Sequence, residues 1–446
     1  MFDFSVLMAV FGSIGLLLFL ILRLRIPAFL SLLIASIALG VFAGVPANEV
    51  VAALQNGMGG TLGFVAIVVG LGTLLGGLLE HSGGANVLAI RLLQIFGEKN
   101  ASWALVCTGF ILAIPVFFDV AFILLIPLIY SLQRKTGKSI LFYGLPLLAG
   151  LAITHAFIPP TPGPVAVAEI LSANLGWVIL FGFLVGFPTA MVSGPLFSNF
   201  ISKKIHAHAP PLLDKEMTTD AESIFSHVVA VIGLPLLLII FTTAMNSFNW
   251  TQLFPQHLVY AFQLIGHPFG ALLIANLLAW YILGVKRGIS QKALQRLANH
   301  SMGPAGLIIL LTGAGGMFKQ MLVTTSAGEM IAKILFEQGV PVLFFAFFAA
   351  VIIRLLQGSA TVAMITAAGL SAPLVTLDWT EPQKALLVLA IASGASILSH
   401  VNDSGFWLVS QYLGLNEQQT FRSWSIMTLL IALVGFSSVC LLWFFT

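Results

Sequence analysis

The chain has 446 residues, and its composition excludes a soluble protein of that size. Hydrophobic residues make up 59% and charged residues only 8%, against roughly 25% charged residues in soluble domains. So few charges cannot cover a water-exposed surface, and 36 phenylalanines exclude collagen-like and disordered chains. The composition therefore indicates a polytopic membrane protein surrounded by a lipid bilayer.

Charge, cysteine content and motifs exclude several kinds of partner and site. The net charge is +3 and the basic residues are dispersed, so we expect no nucleic-acid partner. Cys107 and Cys440 both lie in apolar runs, so we expect neither a disulfide framework nor a metal site. No Walker loop, dinucleotide fingerprint or GxSxG elbow occurs, so we expect no enzyme, no cofactor and no ATP-driven pump. The apolar start, 1–22, lacks a basic segment and is expected to be a retained helix rather than a signal peptide.

Apolar runs long enough to span a bilayer, roughly 17–25 residues, follow one another along the chain. In the first half they lie near 4–22, 27–45, 60–80, 102–131, 140–173 and 176–200. Pro115 and Asp119 interrupt the run 102–131, and four prolines break the run 140–173. After a polar segment, 201–225, which is predicted to be a linker, the series continues with 226–244, 264–284, 302–322, an interrupted run 341–372, a broken run 384–413, and 423–444.

The two halves, 1–200 and 226–446, resemble one another. Met58-Gly59 recurs as Met302-Gly303, and Thr154-His155 recurs as Ser399-His400, at the nearly constant offsets of 244 and 245 residues. Collinear matches of this kind imply an internal duplication.

The distribution of basic residues predicts the orientation of the halves. If 102–131 and 341–372 are re-entrant hairpins, each half has about five crossings, and an odd number makes the halves inverted. With the N-terminus outside, 15 of the 19 Lys and Arg residues fall on the inner side, as the positive-inside rule requires. The sequence thus predicts an all-α fold of two inverted-topology repeats, a cytoplasmic linker and both termini outside. Two further short helices, 85–96 and 329–338, are predicted to lie in the interface.

Polar residues within apolar spans indicate function, because a charge at mid-membrane costs roughly 2.5–3.5 kcal/mol. Asp119 lies near the middle of the first interrupted run. Apolar surroundings favour the neutral form of a carboxyl group, which suits reversible proton binding. The structural alternative is a pairing of Asp119 with Arg354 or with free backbone amides.

The break in 140–173 contains His155 and the string IPPTPGP (158–164). Prolines donate no backbone hydrogen bond, so free carbonyls, Thr161 and Gly163 are predicted to face a ligand rather than to form a simple kink. His155 is predicted either to carry a proton or to be a buried neutral residue bonded to a carbonyl group.

The second hairpin has the string QGSAT (357–361) at its tip. Gly358, Ser359 and Thr361 allow close approach and donate hydrogen bonds, and the start of a half-helix favours an anion, so a carboxylate is expected here. Small-residue helix packing is the alternative. Arg354, one turn earlier, is predicted to pair with an acidic residue or to attract the anion.

The second broken run contains SHVNDSG (399–405), in which polar residues and glycine are concentrated. His400, Asn402 and Ser404 are predicted to contact the substrate. Asp403 could accept a substrate hydroxyl, bind a proton or cap the helix that follows. Duplicated halves with two hairpins and two broken spans are the components of secondary transporters.

Several strings of the chain resemble the gluconate permease (GntP) family. The likeness extends over essentially the whole chain, and its most specific strings are FFDVAFILLIP (117–127), FIPPTPGP (157–164), QGSATVA (357–363) and SHVNDSGFW (399–407). The resemblance implies proton-coupled uptake of gluconate or related sugar acids across the bacterial inner membrane, and the architecture of the ion-transporter superfamily. The chain departs at Asp119, where the family often has Glu, and at Thr161, where it often has His. Both departures could affect substrate choice, so the resemblance implies a sugar acid rather than gluconate specifically.

We therefore predict a proton symporter for a sugar acid, with a homodimer as the assembly considered. Asp119, His155 and Asp403 are predicted to couple protons. The substrate carboxylate is expected at Ser359–Thr361 and its hydroxyls at Asn402, Ser404 and Thr161. Alternatives are sodium coupling, another small hydroxy acid such as glycerate or a hydroxy amino acid, a membrane hydrolase that uses Asp119 and Asp403, and a channel.

Overall fold

The computed structural model describes residues 4–209, 225–247, 250–303, 305–327, 338–376, 378–400 and 403–446. Within these ranges the chain forms helices and no β-strand. Six helical segments of the described chain are long and apolar enough to cross a membrane, by length and composition. The all-α polytopic fold class predicted from the sequence is confirmed.

The helices of the first half follow one another through short turns. They are α1 (Phe4–Leu22), α2 (Ala28–Phe42), α3 (Ala47–His81), α4 (Gly84–Phe96), α5 (Ala101–Leu112), α6 (Phe118–Thr136), α7 (Leu141–Phe157), α8 (Pro162–Ile170), α9 (Leu175–Met191) and α10 (Phe197–Ile201). A π-helical segment, Val192–Leu196, joins α9 to α10. The predicted linker begins where α10 ends, and its residues 210–224 lie outside the described residues.

The second half likewise consists of a series of helices. Its helices are α11 (Phe225–Ser247), α12 (Gln256–Gly266), α13 (Pro268–Ala279), α14 (Gln291–Met302), α15 (Ala305–Thr324), α16 (Val342–Gln357), α17 (Ala360–Ser371), α18 (Glu381–Ala395), α19 (Ser404–Tyr412), α20 (Glu417–Thr420) and α21 (Ile426–Trp443). Further π-helical segments cover Trp280–Gly284 and Phe421–Ser425.

Helix α3 is longer than the apolar run 60–80 that predicted it. It begins at Ala47, directly after Pro46, and has 35 residues. Its first turns are partly polar, so an apolar window does not include them, but Glu49 in the first turn is favourable for a helix start. Gly57 in these turns lies against Gly316 of α15, so the two helices cross with almost no side chain between them.

The predicted helix at 85–96 is confirmed as α4. The one predicted at 329–338 falls almost entirely on 328–337, outside the described residues.

All four interrupted runs leave the helical conformation where proline, glycine or polar residues are concentrated. The gaps are 113–117 between α5 and α6, 158–161 between α7 and α8, 358–359 between α16 and α17, and 396–403 between α18 and α19. Residues 401–402 of the last gap lie outside the described residues.

Helices α5 and α7 pack closely and run in the same direction. Gly150 of α7 lies against the carbonyl oxygen of Val106, and four residues later Thr154 donates a hydrogen bond to the carbonyl oxygen of Phe110 (2.8 Å). A side chain at position 150 would collide with the α5 backbone, so glycine there permits this approach.

Helix α6 runs back along α7 in the opposite direction. The ring of Phe117, just before α6, lies 6.3 Å from the ring of His155 near the end of α7. Thr136, at the end of α6, accepts a 2.9 Å hydrogen bond from Tyr143 at the start of α7. The chain therefore reverses direction between α5 and α6.

The second half repeats the close contact of the first. Gly394 of α18, which lies 244 residues after Gly150, packs against the carbonyl oxygen of Phe347 in α16. Farther along the chain, Nε2 of His400 donates to the carbonyl oxygen of Leu355 (3.0 Å). Helix α16 thus runs parallel to α18, as α5 runs parallel to α7.

Candidate functional site

One cavity of about 440 Å³, called the main cavity below, contacts residues at or beside all four gaps. Such a volume is within the range of small-molecule sites, about 300–1,000 Å³. Its lining consists of Phe117, Phe118, Asp119, Ala152, His155, Ala156, Arg354, Gly358, Ser359, Ala360, Thr361, Ser396, Asp403, Ser404, Gly405, Trp424, Thr428 and Ile431. Residues that are up to about 300 positions apart in the chain meet around this one space.

A buried ion pair lies in the wall of the main cavity. Nη2 of Arg354 is 2.5 Å from Oδ2 of Asp403, and only 5% and 14% of the two side chains are exposed. Of the two sequence-based alternatives for Arg354, pairing with an acidic residue is therefore the one observed. The pairing that was considered between Arg354 and Asp119 does not occur.

Of the three nitrogen atoms of the Arg354 guanidinium group, this pair uses Nη2. Among the described residues, its Nε and Nη1 atoms are buried and have no hydrogen-bond partner. A buried donor without an acceptor costs about 1–3 kcal/mol, and more for a charged group. Arg354 lines the main cavity, and a buried guanidinium with unpartnered N–H groups is suited to an anion.

Asp403 is held in place by several donors. It is the N-cap of α19, where its Oδ1 accepts from the backbone N–H of Gly405 (3.0 Å). Its Oδ2 accepts from the hydroxyl of Ser399, which in turn accepts from Nε1–H of Trp424 (2.7 Å). This network fixes the carboxylate toward Arg354, so the charge pair is a rigid part of the wall.

The tip of the second hairpin consists of two residues. Gly358 has φ = +88°, a left-handed conformation that other residues rarely adopt. Ser359 then caps α17 by accepting from the backbone N–H of Val362 (3.3 Å). Because of this turn, α17 begins at the main cavity and Thr361 lines it.

Asp119 is the second residue of α6, and its side chain is exposed to the main cavity. The turn 113–117 brings the start of α6 to the main cavity, whose lining includes Phe117 and Phe118 beside the polar residues. The first turn of a helix favours a carboxylate. Asp119 and Asp403 are close enough to interact electrostatically, so two acidic groups share the cavity.

His155 lies between the main cavity and a much smaller space behind it, because it lines both. Its Nδ1 atom is buried and has no hydrogen-bond partner among the described residues. The carbonyl partner expected for a structural histidine is therefore not observed at Nδ1.

Four of the predicted site residues are not seen at the main cavity. Thr161 is buried behind it, where its hydroxyl donates to the carbonyl oxygen of Ile158 (2.6 Å). Gly163 lies against Met364, and His400 bonds to the carbonyl oxygen of Leu355. Asn402 lies outside the described residues.

Aromatic residues of the wall were not predicted from the sequence. Phe117 and Phe118 come from the first tip, and Trp424 comes from the last span. The rings of Phe118 and Trp424 are 5.7 Å apart, so they join the two halves. One feature of the sequence could have predicted that Trp424 lines the cavity. Polar residues interrupt an otherwise apolar span at Ser423, Ser425 and Thr428.

Among the described residues, no group of three or more His, Cys, Asp or Glu side chains is placed to hold a metal ion.

The sequence matches the model of a family described as GntP family permease over residues 4–445. It is 37% identical over 434 residues to the low-affinity gluconate transporter of Escherichia coli strain K12, which covers 95% of each chain. It is 35% identical over 441 residues to the L-idonate transporter of the Gnt-II system in the same organism, which covers 97% of this chain and 98% of the relative.

The fold is similar to a solved structure, that of the YdaH transporter of Alcanivorax borkumensis. The TM-score is 0.63 with 16% sequence identity, and the similarity covers 90% of each chain. At this level of identity the similarity concerns the fold alone.

Proposed function

Because the chain belongs to the GntP permease family, we propose that it is a secondary transporter that imports gluconate or a related sugar acid by proton symport. The observation that carries this proposal is the main cavity, where helix gaps from both halves meet around one buried arginine and two carboxylates. Relatives that are named for gluconate and L-idonate support a six-carbon sugar acid as the substrate.

The substrate carboxylate binds at the free N–H groups of Arg354 and at the start of α17. A half-helix N-terminus and a guanidinium group both favour an anion, and Ser359 and Thr361 add hydroxyl groups. Ser404, which follows Asp403 and is exposed to the cavity, bonds the sugar hydroxyls from the gap between α18 and α19. Both ends of the substrate are thus recognised by residues of the second half, from two different helix gaps.

Charge explains the coupling of the substrate to a proton. The negative charge of Asp403 neutralises the positive charge of Arg354. The ionised carboxylate of Asp119 therefore gives the cavity a net charge of −1. A sugar-acid anion adds a second negative charge, and like charges repel strongly in a cavity of low dielectric constant. Protonation of Asp119 removes one of them, so the proton and the substrate favour each other's binding.

The transporter is proposed to lie in the bacterial inner membrane, with both termini in the periplasm and the polar linker in the cytoplasm. The concentration of Lys and Arg on one side of the predicted topology supports this orientation. We also propose that the two halves are inverted repeats with re-entrant hairpins and that the protein assembles as a homodimer.

Purified protein in vesicles tests the function directly. With a gradient of one pH unit, acidic outside, and no sodium, we expect gluconate to accumulate inside up to roughly tenfold if one proton moves per substrate. Substrate addition should at the same time acidify the vesicle interior. Vesicles without a pH gradient are the control and should reach only equal concentrations.

Other outcomes would contradict proton symport. Accumulation that requires a sodium gradient and ignores the pH gradient would indicate sodium coupling. Equilibration without accumulation under any gradient would indicate a channel, and a chemically altered product would indicate an enzyme. The same assay with idonate, glycerate and hydroxy amino acids identifies the preferred acid.

A further inference from the structure

A second cavity, of about 320 Å³, lies against the end of α3 and is called the inner cavity here. Its titratable lining residues are Glu80 and His81 of α3 and His300 of α14. The turn 115–117 between α5 and α6 forms its other wall. The predicted topology puts this end of α3 on the cytoplasmic side.

A narrow space, called the connecting space here, lies between the inner cavity and the main cavity and shares lining residues with both. Its volume is about 10 Å³, which is near the lower limit for one water molecule. It shares His155 with the main cavity, Thr73 with the inner cavity, and Phe117 with both. The three spaces therefore follow one another behind the tip of the first hairpin.

The connecting space has the polar groups that a proton relay needs. The free Nδ1 atom of His155, described above, belongs to a residue on its wall. The hydroxyls of Thr73 and Thr161, which bond to the carbonyl oxygens of Gly70 (3.0 Å) and Ile158 (2.6 Å), lie on the same wall. A water molecule in such a space would have several polar partners.

The inner cavity suits a proton better than the substrate. Glu80 brings a negative charge that repels a sugar-acid anion, and the titratable groups that act on it are His81 and His300. Nearby, Nη1 of Arg287 donates a hydrogen bond to the carbonyl oxygen of Ser82 (2.5 Å). The connecting space, with a volume of about 10 Å³, is also too small to hold a sugar acid.

We propose that Glu80 receives the proton that Asp119 releases and passes it to the cytoplasm by a route separate from that of the substrate. The O–H bond of Asp119 breaks, and His155 accepts the proton at one ring nitrogen while it gives up a proton from the other. That proton ends on the Glu80 carboxylate, and Asp119 is left ionised. This inference rests on the proposed symport and adds a second proton-carrying site to it.

The test uses Glu80→Gln in the full-length protein, with Glu49→Gln as the matched control. Glu49 lies on the same helix, is exposed and lines none of the three spaces. Exchange of labelled gluconate across vesicles at equal pH needs no net proton release, so Glu80→Gln should keep it within about twofold of the wild type. The initial rate of accumulation driven by a pH gradient should fall by roughly tenfold or more, because a proton-transfer group contributes at least this much to a rate. Glu49→Gln should match the wild type in both measurements.

Each other result overturns the inference. If Glu80→Gln accumulates gluconate as Glu49→Gln does, Glu80 carries no proton, while the proposed symport still stands. If Glu80→Gln loses exchange together with accumulation, Glu80 acts on substrate movement or folding instead. If the wild type itself moves no protons with gluconate, the proposed symport is wrong, and the inference that rests on it is wrong as well. His300→Gln, in the same cavity, should change accumulation in the same direction with exchange intact.

Discussion

Asp119→Asn is expected to bind and exchange gluconate but to lose proton-driven accumulation. The amide has nearly the shape of the carboxyl group and stays neutral, so it imitates the protonated state and cannot release a proton. A gradient of two pH units permits roughly 100-fold accumulation with one proton per substrate, and the variant should reach only about equal concentrations. The measurement is gluconate uptake into vesicles at that gradient, beside exchange at equal pH.

Two variants serve as controls for this result. Asp378→Asn neutralises an exposed aspartate between α17 and α18 and should leave both activities unchanged. Asp119→Glu keeps a titratable group and should retain a pH-dependent accumulation. Accumulation by Asp119→Asn at the wild-type level would refute the assignment of the coupling proton to Asp119.

Arg354→Gln is expected to weaken gluconate binding by about 100-fold or more and to destabilise the protein. The substrate loses charge-assisted hydrogen bonds, which account for about 3 kcal/mol of binding. The partner carboxylate of Asp403 is left in the wall without its cation, and breaking a buried pair in this way costs about 3–5 kcal/mol. Equilibrium binding and thermal unfolding in detergent measure the two effects separately.

The double variant Arg354→Gln/Asp403→Asn separates binding from stability. It removes both charges of the pair, so most of the lost stability should return while gluconate binding stays weak. Lys384→Gln is the matched control, since it breaks a more exposed ion pair with Glu381 (2.8 Å) that contributes little. Recovery of gluconate affinity in the double variant would mean that Arg354 serves only to pair with Asp403.

The helix gaps could be predicted because their causes are local. Proline removes a backbone donor, Gly358 permits a left-handed turn, and the polar string 399–405 interrupts an apolar run. Internal similarity between the halves also pointed to equivalent elements, and the close contacts of Gly150 and Gly394 at an offset of 244 residues agree with it.

The pairing of side chains across the cavity could not be predicted in the same way. Arg354 and Asp403 are 49 residues apart, and their contact depends on the parallel packing of α16 and α18. That the helix of Asp119 starts at a cavity could not be read from the sequence, because an apolar run does not reveal where its helix begins in space. Phe118 and Trp424 were missed because aromatic residues are common throughout an apolar chain and carry no positional signal of their own.

A structure of the protein with bound gluconate, determined by electron cryomicroscopy, tests the central claim most directly. The expected result is density for one gluconate in the main cavity, with its carboxylate at Arg354 and Ser359 and its hydroxyls toward Ser404. Gluconate bound elsewhere, with its carboxylate distant from Arg354, would contradict the claim that one cavity between the four helix gaps binds the substrate and its coupling proton.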